Sequence, residues 1–188
     1  MSQTPNQLIL GAPAPAFALP EVIDGATVSS DDLDGEVLVV AFLSRHCPYV
    51  KHVQGALAAL AADYLADGRV AIAGICANDV DNYPEDAPER LADQKREVGF
   101  AFPYLHDASQ AIARAYGAVC TPDFFVFDAD RTLAYRGRMD ATRPGGDPAT
   151  GDELRAAIDA LLAGGRPGDD QAPPLGCGIK WRPGNEPG

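Results

Sequence analysis

The strongest pattern in the chain begins with an unbroken apolar run, Val37 to Leu43, rich in β-branched residues. Seven residues are too few for a core helix and suit a strand buried on both faces, as in a parallel sheet. The period then changes at once. Val50, Val53, Leu57, Leu60 and Tyr64 fall three and four apart, which makes one apolar stripe of a helix. Pro48 fits the first turn of that helix, where a missing N–H costs nothing. Arg69 to Cys76 (RVAIAGIC) reads as a second buried strand, reached through a short loop containing Gly68. Strand, helix and strand at this spacing predict a βαβ unit with parallel, adjacent strands whose carboxyl ends share one edge. Open parallel sheets gather their sites on that edge, and Cys47 and Cys76 both fall there.

Weaker patterns flank this unit. Gly11 to Glu36 mixes Pro and Gly turns with short apolar fragments, and Asp24-Gly25 between Glu21–Ile23 and Ala26–Val28 signals a β-hairpin. After Cys76 come a polar acidic loop, Asn78 to Pro88, a helix from about Pro88 to Val98, and a short strand candidate, Phe100 to Leu105. Ser109 can cap a helix through Tyr116, closed by Gly117. Ala118 to Pro122 then leads into DFFVF and TLAYRGR around the turn Asp128 to Arg131, an antiparallel hairpin. A last helix runs from Asp152 to Ala163, with Leu154, Ile158, Leu161 and Leu162 on one face. Residues 1–163 are thus expected to form one α/β domain, and residues 164–188 a Gly/Pro-rich tail. Within the tail, Leu175, Cys177, Ile179 and Trp181 alternate with Gly176, Gly178 and Lys180, the period of a strand, so this piece is expected to dock on the domain.

Charge narrows the partners. A formal net charge of -12 argues against nucleic acid and against an anionic membrane surface. The amino end, MSQTPNQLIL, lacks a basic start followed by an apolar core, and nothing approaches the ~20 apolar residues of a membrane span, so a cytoplasmic protein is expected. Cys47, Cys76, Cys120 and Cys177 are well separated, without paired metal-ligand spacing, and form neither a disulfide scaffold nor a zinc site. No metal and no organic cofactor is implied. Asp79, Asp81, Glu85, Asp86 and Glu89 match no calcium loop and read as a solvated surface. Nothing in the pattern sets an oligomeric state.

Candidate chemistry centres on Cys47. At the junction of strand and helix its thiol would face unpaired backbone N–H groups and the positive end of the helix dipole, both of which favour a nucleophilic thiolate. Arg45, His46, Lys51 and His52 add positive charge nearby. His46 either hydrogen-bonds the thiolate or covers the helix end. A lone thiolate that becomes sulfenic acid or a mixed disulfide needs a second thiol to reset it. Cys177 and Cys120 are the candidates, each with an inert alternative, while Cys76 reads as core packing and His106 as a satisfied structural residue.

The order of elements, with FLSRHCPYV at Phe42–Val50 and Cys120-Thr121-Pro122 before a hairpin, resembles the thioredoxin fold. GAPAPAFALP, ATVSSDDLDGEVLVV, the insertion after Cys76 and GCGIKW in the tail resemble the peroxiredoxin-like (redoxin, alkyl hydroperoxide reductase and thiol-specific antioxidant) subgroup of that superfamily. The resemblance implies an α/β thioredoxin fold with an N-terminal β-hairpin, an insertion and a C-terminal tail. It implies Cys47 as nucleophile, and a cis bond at Thr121-Pro122 beside it. Val50 stands where a second cysteine of Cys-x-x-Cys would be. In the pattern Pro-x-x-x-Thr-x-x-Cys ending on Cys47, Val40 replaces the Pro and Ser44 the Thr, so the Ser44 hydroxyl would orient substrate with the Thr121 backbone. Arg136 and Arg138 are the only stand-ins for the active-site Arg. The implied activity is a thiol-dependent oxidoreductase acting on a peroxide or a disulfide, reset by an external thiol reductant. The competing reading is a thioredoxin-like module that has lost turnover and binds partner proteins at the cis-Pro rim.

Overall fold

The computed structural model describes residues 8–187; residues 1–7, part of the amino end read above for a leader, and Gly188 lie outside the described residues. In chain order the strands are β1 (Ala18–Pro20), β2 (Thr27–Ser29), β3 (Val37–Phe42), β4 (Val70–Cys76), β5 (Tyr104–His106), β6 (Cys120–Thr121), β7 (Asp123–Phe127), β8 (Leu133–Gly137) and β9 (Cys177–Gly178). The helices are α1 (Pro48–Leu65), α2 (Pro88–Val98), α3 (Ala111–Tyr116) and α4 (Asp152–Leu162). A mixed sheet of order β5-β4-β3-β7-β8 forms the centre, flanked by two small ribbons, β1-β2 and β6-β9.

Strand β3 is buried along its whole length because it packs cores on both sides. Val37, Val39, Ala41 and Leu43 alternate toward one core, built with Val50, Val53, Leu57 and Leu60 of α1 and Leu154 and Ile158 of α4. Leu38, Val40 and Phe42 face the other, built with Phe17, Leu19, Leu33, Ala113, Tyr116 and Ile179. Period-two alternation into two apolar layers is what an unbroken hydrophobic strand requires. The βαβ unit has the expected parallel pairing, Val37 opposite Val70 through Phe42 opposite Ile75. On its other side β3 pairs antiparallel with β7, Phe42 opposite Asp123. The carboxyl ends of β3 and β4 and the amino end of β7 therefore meet at one edge.

Three boundaries differ from the sequence reading. The Asp24-Gly25 turn is present, but the ribbon pairs Ala18–Pro20 with Thr27–Ser29, because Glu21 to Ile23 bend toward the main sheet, where Val22 N–H reaches the Tyr104 carbonyl. The strand expected from Phe100 shrinks to Tyr104–His106, since Phe100 and Phe102 stack on each other in the core rather than pairing in the sheet. At α3 the cap is Gln110, in the left-handed region at φ 62; Ser109 Oγ still accepts from Ala111 N–H.

The tail is bound along much of its length. Gln171 bonds the β8 backbone, accepting from Arg136 N–H and donating to the Ala134 carbonyl. Ribbon β6-β9 follows, with Thr121 opposite Cys177. Ile179 and Trp181 then pack on the second core.

Candidate active site

Cys47 is the N-cap of α1, placed there because β3 runs out at Phe42 and Pro48 opens the helix. Its backbone N–H donates to Ser44 Oγ at 3.1 Å, and its carbonyl accepts from Lys51 N–H. The sulfur does not behave as expected for a capping group. No helix N–H bonds to it; the thiol instead donates to the Thr121 carbonyl at 3.0 Å. The loop carrying β6 packs its last carbonyl against the helix start, and that acceptor captures the thiol hydrogen. The bond following Thr121, to Pro122, is cis.

Three of the four nearby cationic side chains, Arg45, His46 and His52, are engaged by groups other than the sulfur. The Arg45 guanidinium donates to the Arg90 carbonyl and Glu97, His52 meets Thr142, and Lys51 is exposed. His46 Nδ1 lies 2.6 Å from Asp86 Oδ2 and 3.2 Å from Ser44 Oγ. Against an acceptor carboxylate, Nδ1 carries the hydrogen. The ring also stacks on Tyr83, with centroids 5.1 Å apart. Ser44 is fully buried, and its oxygen is already shared between Cys47 N–H and His46.

The acidic loop is solvated at Asp81, Glu85 and Glu89, as expected, but not at Asp79 and Asp86. Asp86 is wholly buried and accepts from Arg45 N–H (2.7 Å), His46 N–H (3.3 Å), His46 Nδ1 and Asn78 Nδ2 (2.8 Å). Asp79 is buried too, holding Asn82 and Arg182. A buried carboxylate persists only when such donors replace its water. Asn78 is eight residues away from Asp86, but Arg45 and His46 lie about forty residues away, so the acidic run by itself gave no sign of the burial.

Cys177 comes to the site from the far end of the chain. Thr121, whose carbonyl accepts the Cys47 thiol, lies opposite Cys177 in the β6-β9 ribbon, and Cys177 packs on the core that includes Cys47. Burial, then the neighbouring Cys47, pushes the Cys177 thiol up. Cys120 points elsewhere, its sulfur 3.6 Å from the Pro122 carbonyl, and burial followed by the charge of Asp123 pushes it up to about 12. Cys76 is wholly buried, and that burial pushes its thiol well up, which fits packing. All four cysteines are free. His106 is buried but not satisfied, for Nε2 has no partner. Neither arginine stand-in is free. Arg136 is held by the Gly117 carbonyl and Asp123, and Arg138 by Glu153. Among the described residues, no group of three or more His, Cys, Asp or Glu side chains is arranged to hold a metal, and no helix is long and apolar enough to cross a membrane.

A helix-capping cysteine set against a cis-Pro loop, on a sheet of this order, defines a thioredoxin-fold thiol protein. The AhpC/TSA family model matches residues 10–136, and the chain belongs to that family. Among solved structures it is similar to an uncharacterized conserved protein from Geobacillus kaustophilus, at 47% identity over 95% of each chain with a TM-score of 0.91. A hypothetical protein from Sinorhizobium meliloti 1021 is 45% identical over 95% of this chain and 98% of the other, again with a TM-score of 0.91. A secreted disulfide oxidoreductase of Mycobacterium tuberculosis shares the fold, at 23% identity over 77% of this chain and 96% of its own, with a TM-score of 0.58. No curated protein matches.

Proposed function

We propose that the protein is a thiol-dependent oxidoreductase that acts on disulfides, with Cys47 as nucleophile and Cys177 as resolving thiol. The observation that carries this reading is the shared residue Thr121, whose carbonyl accepts the Cys47 thiol and which lies opposite Cys177 in the ribbon. The Cys47 thiolate attacks one sulfur of a disulfide, forms a mixed disulfide and releases the other half as thiolate. Cys177, once deprotonated, attacks the Cys47 sulfur, closes a Cys47–Cys177 disulfide and expels the second half. Two electrons have then passed to the substrate, and an external dithiol, such as a reducing partner protein in the cytoplasm, returns them.

A peroxide would instead convert Cys47 thiolate to sulfenic acid, releasing the alcohol or water, with the same resolution by Cys177 and loss of water. That route is less well supported, because Arg136 and Arg138 are both engaged by other groups. The binding-module reading has one observation in its favour, the full burial of Cys47.

The test is mass spectrometry of the reduced protein after one equivalent of oxidised glutathione or of hydrogen peroxide. A Cys47–Cys177 disulfide is expected, formed faster with the disulfide. Cys177→Ser is expected to stop at a glutathione adduct on Cys47, and Cys47→Ser to leave both oxidants unconsumed. Oxidation that stays off Cys47, or none at all, would leave the binding module standing.

A further inference from the structure

We propose that the β9 segment is a strap that keeps oxidants from Cys47 until it lifts, so that the tail governs the reactivity of the thiol it also resolves. The proposal rests on Cys47 being the reacting thiol. Cys47 has no solvent exposure, although it sits at a strand-to-helix junction on the open edge of the sheet, where a side chain is ordinarily within reach of solvent. Beside it lies β9, seated on Thr121, the residue whose carbonyl accepts the Cys47 thiol, and among the described residues β9 pairs with β6 alone. No reagent larger than a proton reaches a sulfur in that state.

The fit of the strap depends on a missing side chain. A Cβ at position 176 would overlap the carbonyl carbon and oxygen of Thr121, the same carbonyl that accepts the Cys47 thiol. Glycine is thus what lets the tail backbone lie against the cis-Pro loop, and no left-handed φ is involved. Immediately downstream the strap is gripped by two other segments. Lys180 N–H donates to Asn78 Oδ1 at 2.8 Å, while its carbonyl accepts from Asp79 N–H at 2.8 Å and Gln110 Nε2 at 2.9 Å. Arg182 N–H donates to Gln110 Oε1, and its guanidinium pairs with Asp79 and Asp81. Asn78 in turn donates to Asp86, the acceptor of Arg45 and His46 N–H. The loop just before the nucleophile and the strap above it are therefore tied to the same insertion.

None of these tail contacts is a pairing of the central sheet, so the strap can open, withdrawing Ile179 and Trp181 from the margin of the second core, while the sheet itself stays paired. When opening and closing are fast, a reagent reads the open population.

Alkylation by iodoacetamide, followed by peptide mass spectrometry, tests this without any turnover. Three full-length proteins are compared in a Cys177→Ser background: the parent, Gly176→Ala, which drives a Cβ against Thr121, and Lys180→Pro, which removes the N–H held by Asn78. Cys76, buried in the core, is the internal reference. Alkylation of Cys47 is expected to rise about tenfold or more in both variants while Cys76 stays protected. Equal Cys47 rates in all three proteins, or a gain shared by Cys76 in both variants, overturns the strap. Failure of the intact protein to form the Cys47–Cys177 disulfide would instead remove the redox reading and leave the alkylation contrast unaffected.

Discussion

Asp86 gathers four donors in a place without water, and two of them are the backbone N–H groups directly ahead of Cys47. Removing the carboxylate leaves those groups buried and unpaired. Asp86→Ala is expected to cost about 3 kcal/mol in urea unfolding, more than an exposed acidic residue in the same loop such as Asp81. Asp123, next to the cis-Pro, behaves differently. One of its oxygens meets Arg136 and Val119 N–H, while the other has no partner. Burial pushes its carboxyl up to about 6 from 3.8, with Arg136 pulling the opposite way. The native state then holds a proton that the unfolded chain gives up. Stability from this group is present below the unfolded value and is lost as pH rises through about 6. Thermal unfolding between pH 4 and 7 is expected to show that decline, and Asp123→Asn to flatten it.

Among the elements, β4 carries the tightest packing between the sheet and the insertion. A Cβ at Gly74 would come within 3.0 Å of Leu43 and Phe102 side chains and 3.2 Å of Tyr104. Those groups are themselves buried and cannot retreat to solvent. Gly74→Ala is expected to destabilise by about 2 kcal/mol through overpacking, despite the better intrinsic propensity of alanine, as read from the shift in urea midpoint at constant slope. Helices α1 and α4 show the reverse relation between pattern and packing. Their apolar stripes were visible in the sequence because their buried positions recur at three- and four-residue intervals. Strand β9 was visible only as alternation, and just two of the seven alternating residues pair. Short strands lack the length to declare their partners.

At the scale of the molecule, what could be read in advance follows how far apart in the chain the interacting groups lie. The β3–α1–β4 unit, the edge that receives Cys47 and the hairpin after Pro122 rest on local patterns, and they were legible. The burial of Asp79 and Asp86, the seat of Gly176 on Thr121 and the two faces of Gln110 join segments separated by tens of residues, so composition was a sound guide to Asp81, Glu85 and Glu89 of the acidic loop and not to Asp79 and Asp86. Charge near Cys47 was legible as content and not as direction: Arg45, His46 and His52 are present, and each is spent on a partner other than the sulfur. The placing of Cys177 opposite Thr121, whose carbonyl holds the Cys47 thiol, lay between these cases, since a strand-like tail bearing a cysteine suggested docking without saying where.

Only three steps of chain separate Cys177, opposite Thr121, from Lys180, whose amide and carbonyl are fixed by Asn78, Asp79 and Gln110. That interval acts as a ruler marked in whole residues. Lengthening or shortening the coil between residues 164 and 170 would be taken up as slack. One residue removed between 177 and 180 would leave no slack to use, and would bring Gly176, with nothing to oxidise, to the place opposite Thr121 that Cys177 holds. Homologous chains that vary in tail length are therefore expected to vary upstream of Gly176 and to keep the count after it.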